Sequence, residues 1–338
     1  MFKKIFTWLK ELIVEEYKFI IFMVVSTILF LFPVNYYIII GGDISDISKR
    51  VSVASGYESE GSFNICFVSE LNGRLGPYLL SYVIPGWERE SANDYKYDDE
   101  ESIEDISFRS HLDLISSNSN AIKWAYKLAN KSYEKIDTKV YVISVMKGYN
   151  DFKVGDQITE IDGVKINNNS DVSEYISKYK ENDVIGIKVI RKNKEKVIKS
   201  KIYKEEDRLI LGIYVQEVSS YKTNPEVTIK FKSMEQGPSA GLITALSIYD
   251  QLTKDDLTKS LKIAGTGTIE KDGNIGSIGG VKFKLAGAVS KKADVFLVPA
   301  GENYKESIKY KKKNNYDIKI IGVSNLEEAI LELEKLEV

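Results

Sequence analysis

One long apolar stretch stands out before any other pattern. Between Lys18 and Asp43 no charge interrupts the 24 positions from Phe19 to Gly42, most of them Phe, Ile, Val, Leu, Met or Tyr. A helix rises about 1.5 Å per residue, so this length predicts one transmembrane helix over 19–42. A cleaved leader would instead carry an apolar core of roughly 7–15 residues ending in small residues. Ahead of the run, Phe2, Ile5, Phe6, Leu9, Leu12 and Ile13 recur at helical spacing. That fits an interfacial turn or a plain extension of the same helix. Lys3, Lys4, Lys10 and Lys18 precede the run, against Lys49 and Arg50 after it. The positive flank therefore predicts a cytoplasmic juxtamembrane segment, 1–18, with the remainder of the chain outside the membrane.

The rest of the chain changes period several times. Arg50 to Leu71 alternates as strands do, Tyr95 to Asp105 is an acidic polar run that reads as a surface loop, and Ile106 to Ser132 repeats Leu112, Ile115, Ile122, Ala125 and Leu128 at helical intervals. Lys139 to Tyr203 is a compact mixed unit: a β-branched run from Val140 to Val145, a helix-like stretch from Asp171 to Tyr179, and a strand from Val184 to Arg191. From Glu226 onward the pattern is glycine-punctuated α/β. A strand from Val227 to Phe231 leads through Gly237-Pro238-Ser239-Ala240-Gly241 into a helix reaching about Leu252. Then Ile263 to Ile269 and Ile275 to Ile278 flank Asp272-Gly273, a hairpin signal, before a small-residue helix opens near Val281.

Charge and scarce residue types narrow the chemistry. Lys and Arg number 47 against 49 Asp and Glu, a net charge of -2, which offers no field to hold nucleic acid. One cysteine, Cys66, excludes an internal disulfide or a cysteine metal cluster, and one histidine, His111, excludes a two-histidine zinc site. No metal and no cofactor is expected. Cys66 lies in the apolar strand Phe63 to Val68, which suits a buried thiol better than a nucleophile paired with His111. A nucleophile here can have at most one histidine as its base, so lysine and carboxylates come into consideration for that role.

Ser239 sits between small residues at a strand-to-helix junction. Such a serine either caps the helix or exposes its hydroxyl while free N–H groups of the first turn face a developing oxyanion. Lys284 enters the helix with Ala286, Gly287 and Ala288, among Ile278, Val281, Phe283 and Leu285. Burial in such surroundings favours the neutral amine, which a base requires.

Gly-Pro-Ser-Ala-Gly, then Thr-Gly-Thr-Ile, then Gly-Gly-x-x-x-Lys, in this order over Glu226 to Leu336, resembles the signature of Lon-type proteases. The stretch Gly155-Asp156-Gln157-Ile158-Thr159-Glu160-Ile161-Asp162-Gly163 resembles the PDZ family. Together with the apolar run, the whole chain is similar to the membrane-anchored PDZ–Lon-like peptidases of Gram-positive bacteria. The resemblance implies an α/β (α+β) fold of the ribosomal-S5 type, with residues 43–135 and 206–338 forming the Lon-like domain and 136–205 an inserted PDZ-like domain. It implies Ser239 as nucleophile, Lys284 as base and Thr266 as the lysine's support, with Gly237, Pro238, Ala240 and Gly241 shaping the nucleophile loop. It also implies regulatory processing of secreted peptides or removal of membrane-bound inhibitors.

PDZ domains capture extended peptides at a sheet edge. Val140, Tyr141, Val142 and Ile143 are the groove candidates on that reasoning, and an architectural insert is the alternative. No Gly-x-x-x-x-Gly-Lys-[Ser/Thr] phosphate loop is present, so ATP is not an expected partner and substrates should already be extended. The expected partners are peptides or exposed protein segments and the lipid bilayer, with self-association left open. The expected location is the cell membrane, single-pass, with the catalytic domain extracytoplasmic. The rival reading is a catalytically inactive, membrane-tethered PDZ scaffold; a GHMP-kinase-like ATP binder would need a phosphate-cradling glycine loop, and Gly265-Thr266-Gly267 is too short to be one.

Overall fold

A computed structural model describes residues 2–98, 101–232 and 235–337, with side chains at 5 and 14 and from 16 onward. The chain forms two compact units, 1–41 with 68–95 and 42–67 with 96–338. Strands Pro33–Asp46 and Ser62–Arg74 contribute residues to both.

In the first unit the apolar run is not one helix. Helix Phe2–Leu31 departs from helical geometry at Glu16 (φ -106°, ψ 15°), ends at Leu31, and is followed by strand Pro33–Asp46. Proline has no N–H to donate and disfavours the helical conformation in the residue before it, so Pro33 stops the helix inside the expected span 19–42. Tyr36, Tyr37 and the three isoleucines that follow suit a strand, and Tyr36 to Ile39 pair antiparallel with Ser91 to Glu88. Among the described residues, no helix is long and apolar enough to cross a membrane. The side chains of Phe2, Phe6, Leu9, Leu12 and Ile13, which carry the expected interfacial repeat, lie outside the described residues, and Ile5 is exposed.

The second unit holds a parallel sheet built from the 62–67 part of strand Ser62–Arg74, Lys262–Gly265, Val295–Pro299 and Lys319–Val323. All five residues of Val295–Pro299 are buried, as a strand covered on both faces requires. One face packs Ile263, Leu297 and Val323 against helices Gly241–Leu252 and Leu326–Glu334 and against Tyr126 of helix Ile103–Leu128. The opposite face packs Cys66, Ala264, Phe296 and Val298 against Val281, Leu285 and Ala288 of helix Val281–Ser290. Helix Ile103–Leu128 begins three residues earlier than its apolar repeat suggests. Ser102 accepts from the Asp105 N–H while Asp105 returns a bond to the Ser102 N–H, a capping box. Glu101, expected in a surface loop, is buried in an ion pair with Arg109.

The expected hairpin at Asp272-Gly273 forms with short, irregular arms, and Thr268 N–H bonds across it to Gly276 O at 3.4 Å. Glu270 N–H bonds to Asn274 O at 2.9 Å, but Ile275 N–H turns away to Ser324 O at 2.8 Å and Asn274 bridges to Asn325. Its second arm is thus claimed by the start of the last helix.

A separate antiparallel sheet runs in the order Ile213–Asn224, Ser132–Val145, Gln157–Ile161, Val184–Arg191, Lys194–Lys201. It exceeds the expected limits 136–205 because its outer strand lies at 213–224. It has its own core of Val140, Val142, Ile158, Ile161 and Ile187. The groove candidates Val140, Tyr141, Val142 and Ile143 are therefore displaced from any edge. Val140 and Tyr141 are paired on both sides, Tyr141 with Gln216 and with Gln157, while Ile143 falls at an irregularity and its carbonyl accepts from Arg109 Nη1 at 3.2 Å.

Candidate active site

Three distant segments converge on one hydroxyl. Ser239 closes the loop before helix Gly241–Leu252, Thr266 follows strand Lys262–Gly265, and Lys284 lies in the first turn of helix Val281–Ser290. Lys284 Nζ stands 3.0 Å from Ser239 Oγ and 3.2 Å from Thr266 Oγ1. Thr266 is fully buried, Lys284 is 4% exposed, and Ser239 is half-buried. Thr266 Oγ1 donates to Ser239 O at 3.3 Å, and Gly267 N–H to the same carbonyl at 2.8 Å.

Local sequence explains why the lysine helix sits so deep. Gly280 takes the left-handed conformation (φ 66°) that turns the chain into the helix. A β-carbon on Gly42 would fall 2.1 Å from Phe283 O, so only glycine lets the helix lie directly on the strand. Lys282, two residues before Lys284, points elsewhere: its Nζ is 5.1 Å from the Phe283 ring centre.

The nucleophile loop is held on both sides. Gly237 (φ 83°) donates its N–H to Ser110 O at 2.9 Å, Gly241 to Pro238 O at 3.1 Å and Leu242 to Gly267 O at 3.0 Å. The N–H groups of Ser239 and Ala240 have no acceptor among the described residues. Ala240 and Gly241 are buried, Pro238 half-buried.

Ser117 is a site residue that sequence reading missed. From helix Ile103–Leu128 its Oγ donates to Pro238 O at 2.9 Å and accepts from Ile269 N–H at 3.3 Å, joining the nucleophile loop to the Thr266 segment. Its signal was its place on the buried face with Leu114 and Ala121, where an unremarked polar residue needs a partner.

Cys66, although close to Lys284, and His111 make no hydrogen bond to Ser239 among the described residues. Burial is the main cause that pushes the Cys66 thiol up to about 12, so it stays protonated, whereas His111 is exposed on the first helix of the unit. Among the described residues, no group of three or more His, Cys, Asp or Glu is placed to hold a metal ion.

A family model for the PDZ domain matches residues 117–202, and a PDZ domain is present in this chain. Over 102 residues the chain is 34% identical to the Lon protease of Xanthomonas oryzae pv. oryzae, covering 30% of this chain and 12% of that protein. The chain thus spans about an eighth of that relative's length. The solved PDZ domain of an SdrC-like protein from Listeria innocua is 29% identical, covering 23% of this chain and 92% of that one, with a TM-score of 0.22. The corresponding domain from Listeria monocytogenes is 27% identical, covering 22% and 85%, with a TM-score of 0.22.

Proposed function

We propose that this chain is a membrane-attached, ATP-independent serine endopeptidase working through a Ser239–Lys284 dyad on extended peptides or exposed protein segments. The 3.0 Å approach of a buried lysine amine to a half-exposed serine hydroxyl carries this reading. Serine is a weak nucleophile until a neighbouring base takes its proton. Burial disfavours an ammonium, so the site favours the neutral amine that can accept it.

In the forward step Lys284 Nζ takes the hydroxyl proton while Ser239 Oγ bonds to the scissile carbonyl carbon. Negative charge then develops on the carbonyl oxygen, for which the N–H groups of Ser239 and Ala240 are the loop's available donors. The lysine returns its proton to the leaving amine as the peptide bond breaks. Water, activated by the same amine, releases the acyl chain and restores Ser239. Thr266, which touches both Lys284 Nζ and Ser239 O, keeps the amine aimed. The local similarity to Lon protease and the PDZ domain support a peptide-directed activity.

Membrane attachment rests on the first helix, where Phe19, Phe22, Met23, Val24, Val25 and Ile28 are exposed on all sides, a surface that lipid would cover. The lysines before it favour an extracytoplasmic catalytic unit. Purified full-length chain should cleave a casein-type unfolded substrate and take up a serine-directed fluorophosphonate probe. Ser239→Ala should lose both, and labelling that persists in this variant would overturn the assignment.

A further inference from the structure

An open cavity of about 530 Å³ lies against the helix Ile103–Leu128. Its walls are Ile103, Glu104, Ser107, Phe108 and His111, one helical face, and Gln236 from the nucleophile loop. Two bonds fasten the loop to this helix: Gln236 Nε2 donates to Ser107 Oγ at 2.7 Å, and Gly237 N–H to Ser110 O at 2.9 Å. Gln236 precedes Ser239 by three residues, and three extended residues reach at most about 10 Å. The cavity wall at Gln236 therefore lies within reach of the residues flanking a peptide carbonyl held at Ser239.

The walls define what fits there. Ile103 is 52% exposed and Phe108 is half-buried, with its ring 6.0 Å from Tyr141, so the floor is apolar and braced from behind. Glu104 is exposed at the helix-opening end of the cavity, and it makes no ion pair among the described residues. An apolar floor with one carboxylate at its rim suits a side chain with a long hydrocarbon stem and a cationic end.

Resting on the peptidase reading above, we infer that this cavity is the specificity subsite and that it selects lysine or arginine within three residues of the scissile bond. Leucine fills the floor but leaves Glu104 unmatched, and glutamate meets like charge.

The test uses full-length chain and sets of three quenched-fluorescence peptides that share one sequence and differ only in Lys, Leu or Glu, one set for each of the three positions on either side of the scissile bond. Wild type should cleave the Lys peptide several-fold faster in kcat/KM than the Leu peptide, up to about fivefold for an exposed charge pair, with the Glu peptide slowest. Glu104→Lys should invert the order of Lys and Glu peptides, and Glu104→Gln should bring them together. Circular dichroism on both variants separates a lost fold from a lost preference. A charge preference that is absent, or that survives Glu104→Lys in folded protein, overturns the subsite while leaving the peptidase intact. No cleavage of any peptide by wild type, with no probe uptake at Ser239, overturns both.

Discussion

Ser117 donates its hydroxyl to the carbonyl of Pro238 at 2.9 Å, one residue before the candidate nucleophile, from a helix more than a hundred residues away in sequence. The same oxygen accepts the Ile269 N–H, and a β-carbon on Gly241 would fall 2.1 Å from it. A serine hydroxyl and a missing β-carbon thus occupy one space. Ser117→Ala leaves the Ile269 N–H unmatched and the Pro238 carbonyl with the Gly241 N–H alone, which costs about 1–3 kcal/mol of stability. Because Pro238 leads directly to Ser239, kcat should fall about tenfold or more with KM little changed. Gly241→Ala should be worse, and adding Ser117→Ala should relieve part of that loss. Strict additivity in urea melts and in kcat would show that the two positions do not share this contact.

Cys66 makes a clean reporter of unfolding. Burial, the larger cause, outweighs the neighbouring Lys284 charge and pushes the thiol up to about 12 from an ordinary 9.0. At pH 8.5 native protein should resist iodoacetamide, while urea-unfolded protein should alkylate at a rate ordinary for a free thiol. Fast modification of the native chain, with activity retained, would show that Cys66 is accessible after all.

Glu217 ties the outer strand of the PDZ-type sheet to the turn after Thr266. Lys271 Nζ reaches its Oε1 at 2.7 Å and Asn169 N–H its Oε2 at 2.9 Å. Burial opposes ionisation, but the Lys271 bond and the Asn169 N–H outweigh it and hold the carboxyl below its ordinary 4.5. A depressed folded pKa gives stability that is present above the unfolded value and lost as pH falls through the folded one. Glu217→Gln should therefore destabilise the chain at pH 7 by about 1 kcal/mol and cost nothing at strongly acidic pH. An equal penalty at both pH values in urea titrations would remove the charge from the explanation.

Much of the second unit was legible because its motifs encode local geometry. Glycines at a strand-to-helix junction and ahead of a helix mark where Ser239 and Lys284 must lie, and the helices at Gly241–Leu252 and Val281–Ser290 begin within a residue or so of expectation. Errors came where the answer depends on distant partners. Val140 to Val145 alternates as any half-buried strand does, and nothing within it reveals that Ile213–Asn224 covers its free side. The apolar run misled differently: hydropathy is blind to Pro33, although the proline itself was a readable stop signal.

Attachment through the first helix has a direct readout. The exposed apolar side chains from Phe19 to Phe32 should keep the chain in the membrane pellet after alkaline carbonate washing, and deleting residues 2–32 should release it. With intact cells, added protease should remove the catalytic unit. Protection until lysis would place that unit inside and reverse the orientation read from Lys3, Lys4, Lys10 and Lys18.

Lys284 can serve as base only when it carries no proton, so activity should rise with pH as the amine is deprotonated and fall as pH drops through that titration. Its surroundings set the sign. With only 4% of the residue exposed and with hydroxyls of Ser239 and Thr266 as neighbours, the amine gains less from charge than it would in water. Lys284→Arg separates this role from a structural one, because arginine keeps the positive charge but cannot give up its proton to act as a base. A purely structural cation would survive that exchange, whereas a base would not. Lys284→Arg and Lys284→Ala should both be as inactive as Ser239→Ala, and the Ser239/Lys284 double variant should be no worse, since members of one catalytic unit are not additive. Lys282→Ala should keep most of the activity, its amine lying near the Phe283 ring rather than at Ser239. Kinetics at saturating peptide between about pH 6 and 9 decide the matter. A flat wild-type profile, or substantial turnover by Lys284→Arg, would remove the lysine from the base role and leave Ser239 in need of another partner.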